Sequence, residues 1–345
     1  MIKVGIVGAA GYGGSELLRL IQGHPLAEVS VAISQTYSGQ PVTASLPGLI
    51  GRTELVFSGS DDWAKLQDCD VVFLAEENGK AMNQVAKLLQ AGCKVIDLSA
   101  DFRFRDVETY EAWYSPHNEP QLSKEAAYGL PEWNRETIQN ARLVGNPGCF
   151  ATAIQLALAP LIKHQLIRSE SLIADGKSGI SGAGRAKFAA DYHFPEANEN
   201  VSAYKIAGTH RHTPEVEESL SRIAGQPIQL SFTPHLVPMT RGILATCYAD
   251  LIQGTSPGLV MAVYNEHYES EPFVHLVQNL PSTKMTIGTN NCLIGFGIDS
   301  RMNRITIVSC LDNLLKGMAG TALQNMNLMC GIDETAGLAM GGIWP

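Results

Sequence analysis

Cys149, His210 and His212 are the residues of this 345-residue chain whose types and settings best suit covalent chemistry. Cys149 closes the run Leu143-Val144-Gly145-Asn146-Pro147-Gly148-Cys149 and opens Phe150 to Leu158, which has helical spacing. A short apolar strand, a tight Asn-Pro-Gly turn and a helix put the sulfur at or just before a helix N-terminus. Backbone N–H groups and the dipole favour the thiolate there, and a thiolate that solvent can reach is a nucleophile. The same position also suits a small buried hydrophobe, the usual lot of a free cysteine. His210-Arg211-His212-Thr213-Pro214-Glu215 tips the reading toward chemistry. Thr213 reads as an N-cap, Pro214 as the first helical residue and Glu215 as part of the first turn, leaving both histidines on the loop before the helix. No third ligand stands at a metal-binding spacing, so no metal is expected; beside a helix-capped cysteine the pair suits general acid–base work.

A second constellation suits binding. Gly8-Ala9-Ala10-Gly11-Tyr12-Gly13-Gly14 follows a strand-like run and precedes a helix. Glycines at 8, 11 and 14 let the backbone approach a pyrophosphate, which the helix N-terminus then stabilises. The second strand ends in Ser34-Gln35-Thr36-Tyr37-Ser38-Gly39. No carboxylate stands there for a ribose 2′-hydroxyl, and small hydroxyls at Ser34 and Ser38 leave room for a 2′-phosphate. NADP is therefore expected, although that stretch holds no arginine. Arg103 follows another strand, where it suits an anion clamp or a surface pair with Asp101 or Asp106. Lys177 and Arg185 lie on the glycine-rich stretch Gly176 to Arg185, which does not match a P-loop.

The elements that must position these groups alternate. Strands are expected at Lys3–Val7, Glu28–Ile33, Asp70–Ala75 and Lys94–Ser99, with helices at Ser15–Gln22, Asp61–Leu66 and Lys80–Gln90. That rhythm means a Rossmann-type, doubly wound parallel sheet. Glu108 to Glu132 reads as loop, its aromatics serving packing. Beyond the Cys149 helix, strands at Ser171–Asp175, Gln226–Thr233, Gly242–Leu251, Cys292–Ile298 and Arg304–Cys310 suggest an α+β catalytic domain with a mainly antiparallel sheet. A helical stretch from Asp312 to Met329 presents small residues for close packing. The expected division is an NADP-binding domain, 1–148, with 313–345 packing back on it, and a catalytic and dimerisation domain, 149–312.

Composition sets bounds. A net charge of −9 without a basic block argues against nucleic acid, and no apolar run approaches membrane-spanning length. Seven scattered cysteines form no close pair, and the N-terminus shows no signal pattern, so a cytoplasmic protein is expected.

Over nearly its whole length the sequence resembles the N-acetyl-γ-glutamyl-phosphate reductases of arginine biosynthesis, within the wider semialdehyde dehydrogenase group. The resemblance rests on the glycine turn, Asp97-Leu98-Ser99-Ala100-Asp101-Phe102-Arg103, Tyr128-Gly129-Leu130-Pro131-Glu132 and Gly145-Asn146-Pro147-Gly148-Cys149. Lys177 to Arg185, His210 to Glu215, Pro238-Met239-Thr240-Arg241-Gly242 and Asp312 to Gly317 complete it. It implies NADPH-dependent reduction of an acyl phosphate through a thioester on Cys149, with His212 or His210 moving the proton. It implies phosphate and carboxylate grips among Arg103, Lys177, Arg185, Arg211 and Arg241. Cofactor contacts are implied at Gly8, Gly11, Tyr12, Gly13, Gly14, Ser34, Ser38 and Ser181, in a homodimer or homotetramer. One departure is Ala75-Glu76-Glu77-Asn78-Gly79, where the family commonly has a Leu-Pro-His-Gly type of turn. The alternatives are a reductase of aspartyl phosphate or of a carrier-bound aminoadipyl phosphate, and, in another class, a non-catalytic NADP-binding regulator. The acidic net charge disfavours an acidic carrier, and the presence of Cys149 and both histidines disfavours the regulator.

Overall fold

The computed structural model describes residues 1–187 and 189–343. They fall into two units. One comprises Met1–Pro147, Gly184–Ala186 and Met318–Ala339; the other comprises Gly148–Ala183, Lys187–Gly317 and the chain from Met340 onward.

In the first unit six parallel strands, β1 (Ile2–Val7), β2 (Ala27–Ile33), β3 (Val71–Leu74), β4 (Lys94–Asp97), β5 (Ala127–Tyr128) and β6 (Leu143–Gly145), run in the order β2-β1-β3-β4-β6-β5. Val71-Val72-Phe73-Leu74 is buried at every position, as a sheet covered on both faces demands. The helices are α1 (Tyr12–Ile21), α2 (Met82–Gln90), α3 (Val107–Trp113), α4 (Pro120–Glu125) and α5 (Pro131–Gln139). Because β1 lies between β2 and β3, the strand order reverses at its carboxyl end, where open α/β sheets bind ligands.

The stretch 108–132, read as loop, contains α3, α4 and β5 instead. Asp106 accepts a hydrogen bond from the Glu108 N–H and so starts α3, and Tyr110 stacks on Tyr114 with ring centres 5.0 Å apart. These elements are too short for a periodic signal, and their aromatics pack as expected, Tyr110 being wholly buried. The segment expected as a helix at Asp61–Leu66 is a 3₁₀ run, Ser60–Asp68.

The second unit is built on α6 (Cys149–Lys163), in which every residue from Phe150 to Ile162 is buried. A helix apolar on all sides must be central. Seven strands follow: β7 (Ile173–Ser178), β8 (Ser202–Ala203), β9 (Ser231–Leu236), β10 (Ile243–Asp250), β11 (Val274–Leu276), β12 (Cys292–Asp299) and β13 (Arg304–Leu311). Their order is β11-β12-β13-β10-β7-β9-β8. Only β7 with β9 and β11 with β12 pair parallel; the other four pairings are antiparallel. The helices are α7 (Phe194–Ala197), α8 (His212–Ala224) and α9 (Pro257–Tyr268). Pro160 lies inside α6 and cannot donate to the carbonyl four residues back. That carbonyl, on Leu156, accepts from the Tyr268 hydroxyl at 2.8 Å, and Ala157 O accepts from Tyr264 at 2.6 Å. Two phenols of α9 thus bind the proline-bearing half of α6.

After β13 the chain passes through a single π-type turn, Leu315–Ala319, into α10 (Gly320–Met329), all of whose residues are buried. Within the first unit α10 packs on α1 and α5. Asn325 Nδ2 donates to Gly129 O at 2.9 Å, and Asn327 Nδ2 to Ala336 O at 2.9 Å. Trp344 and Pro345, the end of the expected return over 313–345, lie outside the described residues, as does Phe188 of the expected domain 149–312. No helix among the described residues is long and apolar enough to cross a membrane.

Candidate active site

Cys149 is the first residue of α6 and is half-buried. Gly148 precedes it in extended conformation and offers no side-chain cap. The other cysteines differ. Burial pushes the Cys69 thiol up to about 11 and those of Cys247 and Cys310 up to about 12, which keeps them protonated and inert.

His212 covers Gly148. A Cβ on that glycine would fall against His212 Nε2 and 2.7 Å from its Cε1, so only glycine admits the imidazole next to Cys149. The Gly148 N–H donates to Glu215 Oε1 at 2.7 Å, and Glu215 is itself buried. Helix α8 begins at His212, not at Pro214, and Thr213 does not cap it: the chain is already helical at Arg211. His212 and Glu215 therefore lie one turn apart on the same helix face, a spacing that could have marked Glu215 in advance.

His210 stands behind His212, their ring centres 4.9 Å apart. Its Nδ1 accepts from the His212 backbone N–H at 3.0 Å, and its Nε2 lies 3.5 Å from the Tyr204 hydroxyl. Phe150 and Phe232 meet the ring edge to face. Burial, reinforced by His212, pushes the His210 imidazole down to about 2, so it is neutral. Tyr204 is held protonated, chiefly by burial and also by Cys149. Sequence reasoning missed Tyr204.

Cations collect on the same unit. Burial lowers the Lys205 ammonium, and Arg211 and Lys187 lower it further; Arg211 and Lys205 also act on His210. Lys205 and Lys187 carry no sequence signal. Arg241 meets the fully buried Asp312 at 3.4 Å, and Asn313 holds both the Gly242 N–H, at 2.7 Å, and Ser181 Oγ, at 3.0 Å. The same segment ends at Gly317, beside Cys149: a Cβ there would stand 2.8 Å from Cys149 Cβ. Lys177 is placed elsewhere. Neighbouring Gly176 faces Phe150 of α6, so Lys177 points to the opposite face of the sheet, 2.9 Å from Asp175.

In the first unit the glycine turn has the form of a phosphate cradle. Gly8 has φ +72° and abuts the Ala75 carbonyl, and a Cβ on Gly14 would fall against Gly8 O and 2.6 Å from Ala9 Cα. Tyr12 starts α1 and Gly13 is its second residue; Gly11 is its N-cap, with no side-chain cap and no acid in the first turn. These features fit a dinucleotide pyrophosphate. Ser34 is buried beyond β2, and Ser38 follows on the same connection. Arg185, expected among the substrate grips, belongs to this unit. It donates to Ala10 O at 3.1 Å, Ser45 Oγ at 2.8 Å and the Tyr37 hydroxyl at 3.1 Å. Arg103 donates to Asn146 O at 2.7 Å and Leu98 O at 2.9 Å, bracing the residues that lead into Gly148. In the turn that departs from the family pattern, burial raises the Glu76 carboxyl, and Glu77 pairs with Lys80 at 3.2 Å. Asp101 holds that turn through the Gly79 N–H at 2.7 Å.

Residues 3–141 match the semialdehyde dehydrogenase NAD binding domain and residues 149–313 the semialdehyde dehydrogenase dimerisation domain. The chain belongs to the semialdehyde dehydrogenase family, a group of oxidoreductases. Within that family its relatives are N-acetyl-γ-glutamyl-phosphate reductases. The protein of that name from Symbiobacterium thermophilum is 51% identical over 99% of this chain and 98% of its own length. That from Syntrophobacter fumaroxidans is 48% identical over 98% of both. Among solved structures, aspartate semialdehyde dehydrogenase II of Vibrio cholerae superimposes with a TM-score of 0.74 at 18% identity, over 96% of this chain and 98% of that one. The Candida albicans aspartate semialdehyde dehydrogenase with NADP gives 0.72 at 16%, over 96% and 98%. At such identities these two speak for the fold alone.

Proposed function

We propose that this protein reduces N-acetyl-γ-glutamyl phosphate to N-acetylglutamate semialdehyde and phosphate, using NADPH, in arginine biosynthesis. The observation that carries the reading is the imidazole of His212 seated on Gly148, directly before a cysteine that opens a helix. Relatives named for that reaction cover the whole chain at about half identity.

Cys149 Sγ attacks the acyl carbon, the carbon–oxygen bond to phosphate breaks, and a thioester remains on the sulfur. The amino end of α6 stabilises first the thiolate and then the negative oxygen that develops on the attacked carbon. His212 takes the thiol proton; once hydride has been added, the tetrahedral oxyanion collapses to the aldehyde, the carbon–sulfur bond breaks, and His212 returns the proton to the sulfur. His210, neutral, fixes His212 through its backbone, and Glu215 fixes Gly148. Arg211, Lys205 and Arg241 grip the phosphate and carboxylate; Lys177, paired with Asp175, is left out of that set. The chemistry that the reduced nicotinamide supplies when bound is hydride, delivered to the thioester carbon. Gly8, Gly11, Tyr12, Gly13 and Gly14 would hold its pyrophosphate. Arg185, with Ser34 and Ser38, receives the 2′-phosphate, supplying the cation that the second strand's own loop lacks. Ser181 braces the second unit's loop through Asn313. The dimerisation domain assembles this chain as a homodimer or homotetramer in the cytoplasm.

The test runs the reaction backward: protein, NADP, phosphate and N-acetylglutamate semialdehyde, followed by absorbance of the reduced cofactor. Reduction that requires phosphate is expected. Turnover with aspartate semialdehyde alone would assign the chain to the other branch of the family, and no turnover with any aldehyde would leave a cofactor-binding protein.

A further inference from the structure

His164 is the C-cap that follows α6, and Glu266 and His267 lie in the last turn of α9, all in the second unit. At 1.5 Å per residue this end of α6 is about 22 Å from Cys149, so the cluster is separate from the nucleophile. His164 Nε2 stands 3.0 Å from His267 Nε2 and 3.7 Å from Glu266 Oε1, and the three ligand atoms lie within 4.8 Å of one another. Among the described residues no other group of three His, Cys, Asp or Glu side chains converges in this way. The two histidines are 103 residues apart, so no sequence spacing announces them.

Two imidazole nitrogens aimed at each other share either a proton or a cation. With Zn–N near 2.1 Å and tetrahedral angles, two imidazoles on one ion have nitrogens about 3.4 Å and ring centres about 5.2 Å apart. Here the nitrogens are 3.0 Å and the ring centres 5.2 Å apart, with planes at 72°. The ring centres can therefore stay where they are; each ring must turn so that both lone pairs meet at one point, which spreads the nitrogens to make room for an ion. The backbones are also fixed, because Tyr264 and Tyr268, on the same helix as Glu266 and His267, bond to carbonyls of α6. Glu266 is 61% exposed, so its carboxylate closes on the ion freely and water completes the coordination.

We propose that His164, Glu266 and His267 form a binding site for a divalent late first-row transition ion of the Zn²⁺ type, which joins the end of α6 to α9. Two imidazoles and one carboxylate are a borderline donor set that selects such ions over Mg²⁺ or Ca²⁺. The ion takes no part in the reaction at Cys149; it ties down the far end of the helix that carries it.

The experiment strips the full-length protein with a chelator and titrates it with Co²⁺, then displaces Co²⁺ with Zn²⁺. One equivalent is expected, with weak visible bands, no sulfur-to-cobalt band in the near ultraviolet, and a melting temperature a few degrees higher. His164→Gln and His267→Gln should each weaken binding about 100-fold and Glu266→Gln about 10-fold, from the loss of one ligand. All three should keep metal-free turnover. Glu266 is exposed, so its variant reads out the site even if a histidine variant misfolds. The proposal is overturned by no saturable binding below about 100 μM, by a thiolate band, or by affinity unchanged in the variants; each leaves a plain imidazole–imidazole hydrogen bond.

Discussion

Two helices, α1 and α6, begin on a glycine that follows a strand and a turn, and neither has a side-chain cap. Around α1 the turn packs mainly backbone on backbone, Gly8 on Ala75 and Gly14 on Gly8, with Arg185 and Ser15 donating to the carbonyls of Ala10 and Ala9. At α6 the turn is held by side chains: Glu215 takes the Gly148 N–H and His212 lies over Gly148. The same amino-terminal electrostatics serve both. Under the function proposed above, a start framed mainly by backbone leaves room for a large anion, and one covered by an imidazole and a carboxylate keeps one small anion, the thiolate. On that reading the difference between binding and reacting lies in what packs against the helix start.

The strongest way to test that contrast is Cys149→Ser. Turnover should fall by roughly 10⁴-fold or more, while NADP affinity, measured by fluorescence titration, stays put. A near-normal rate would remove the sulfur from the mechanism. Gly148→Ala comes next: its methyl group displaces His212, and kcat should fall by about 10²-fold, the scale of one general acid–base group. Gly14→Ala is its counterpart in the first unit, closing the cradle against Gly8 O and Ala9. It should weaken the cofactor by about 10- to 100-fold, the scale of a 1–3 kcal/mol steric clash. Rapid inactivation of the apo enzyme by a thiol reagent should survive this change. If the two alanine variants show the same defect, the contrast fails. Arg185→Leu should shrink the preference for NADP over NAD by about 10-fold or more, one charge-assisted hydrogen bond to phosphate being worth about 1.5–3 kcal/mol. An unchanged ratio would return Arg185 to a structural role in its own unit.

The smallest effect concerns acid stability. His210 titrates near 2 when folded, against 6.5 in an unfolded chain. Between those values the unfolded chain binds a proton that the folded one refuses, so stability present above pH 6.5 is lost as pH falls. The slope approaches about 1.4 kcal/mol per pH unit for one group. His210→Gln should flatten the limb between pH 6 and 4 in urea melts; an unaltered limb would mean that His210 charges in the folded state.

The two helix starts were legible because each depends on consecutive residues. Gly148 before Cys149, and glycines at 8, 11 and 14, define a turn and a helix without outside help. What escaped notice depends on residues far apart in sequence. Arg185 reads as a loop cation among serines and glycines, and only the folded chain puts it on Ser45 and Tyr37. Lys177 carries its own warning, since alternation along β7 places it opposite Gly176, the residue that faces α6. Strand β9, expected from Gln226, begins at Ser231, because the residues before it serve the end of α8: the Ile228 N–H donates to Ser221 Oγ and the Leu230 N–H to Glu217. The start of α8 is also misread from sequence, because Thr-Pro-Glu looks like a cap while packing has already made Arg211 and His212 helical.

The chain passes between its two units five times, since each is assembled from separated segments. Neither half can therefore be obtained by cutting the polypeptide once. A fragment ending at Pro147 would lack α10, and the surfaces of α1 and α5 that α10 covers would be bare. The ribosome must likewise deliver residue 329 before the nucleotide-binding half can finish folding. Until then the newly made protein has the glycine turn and α1 without the helix that packs against them.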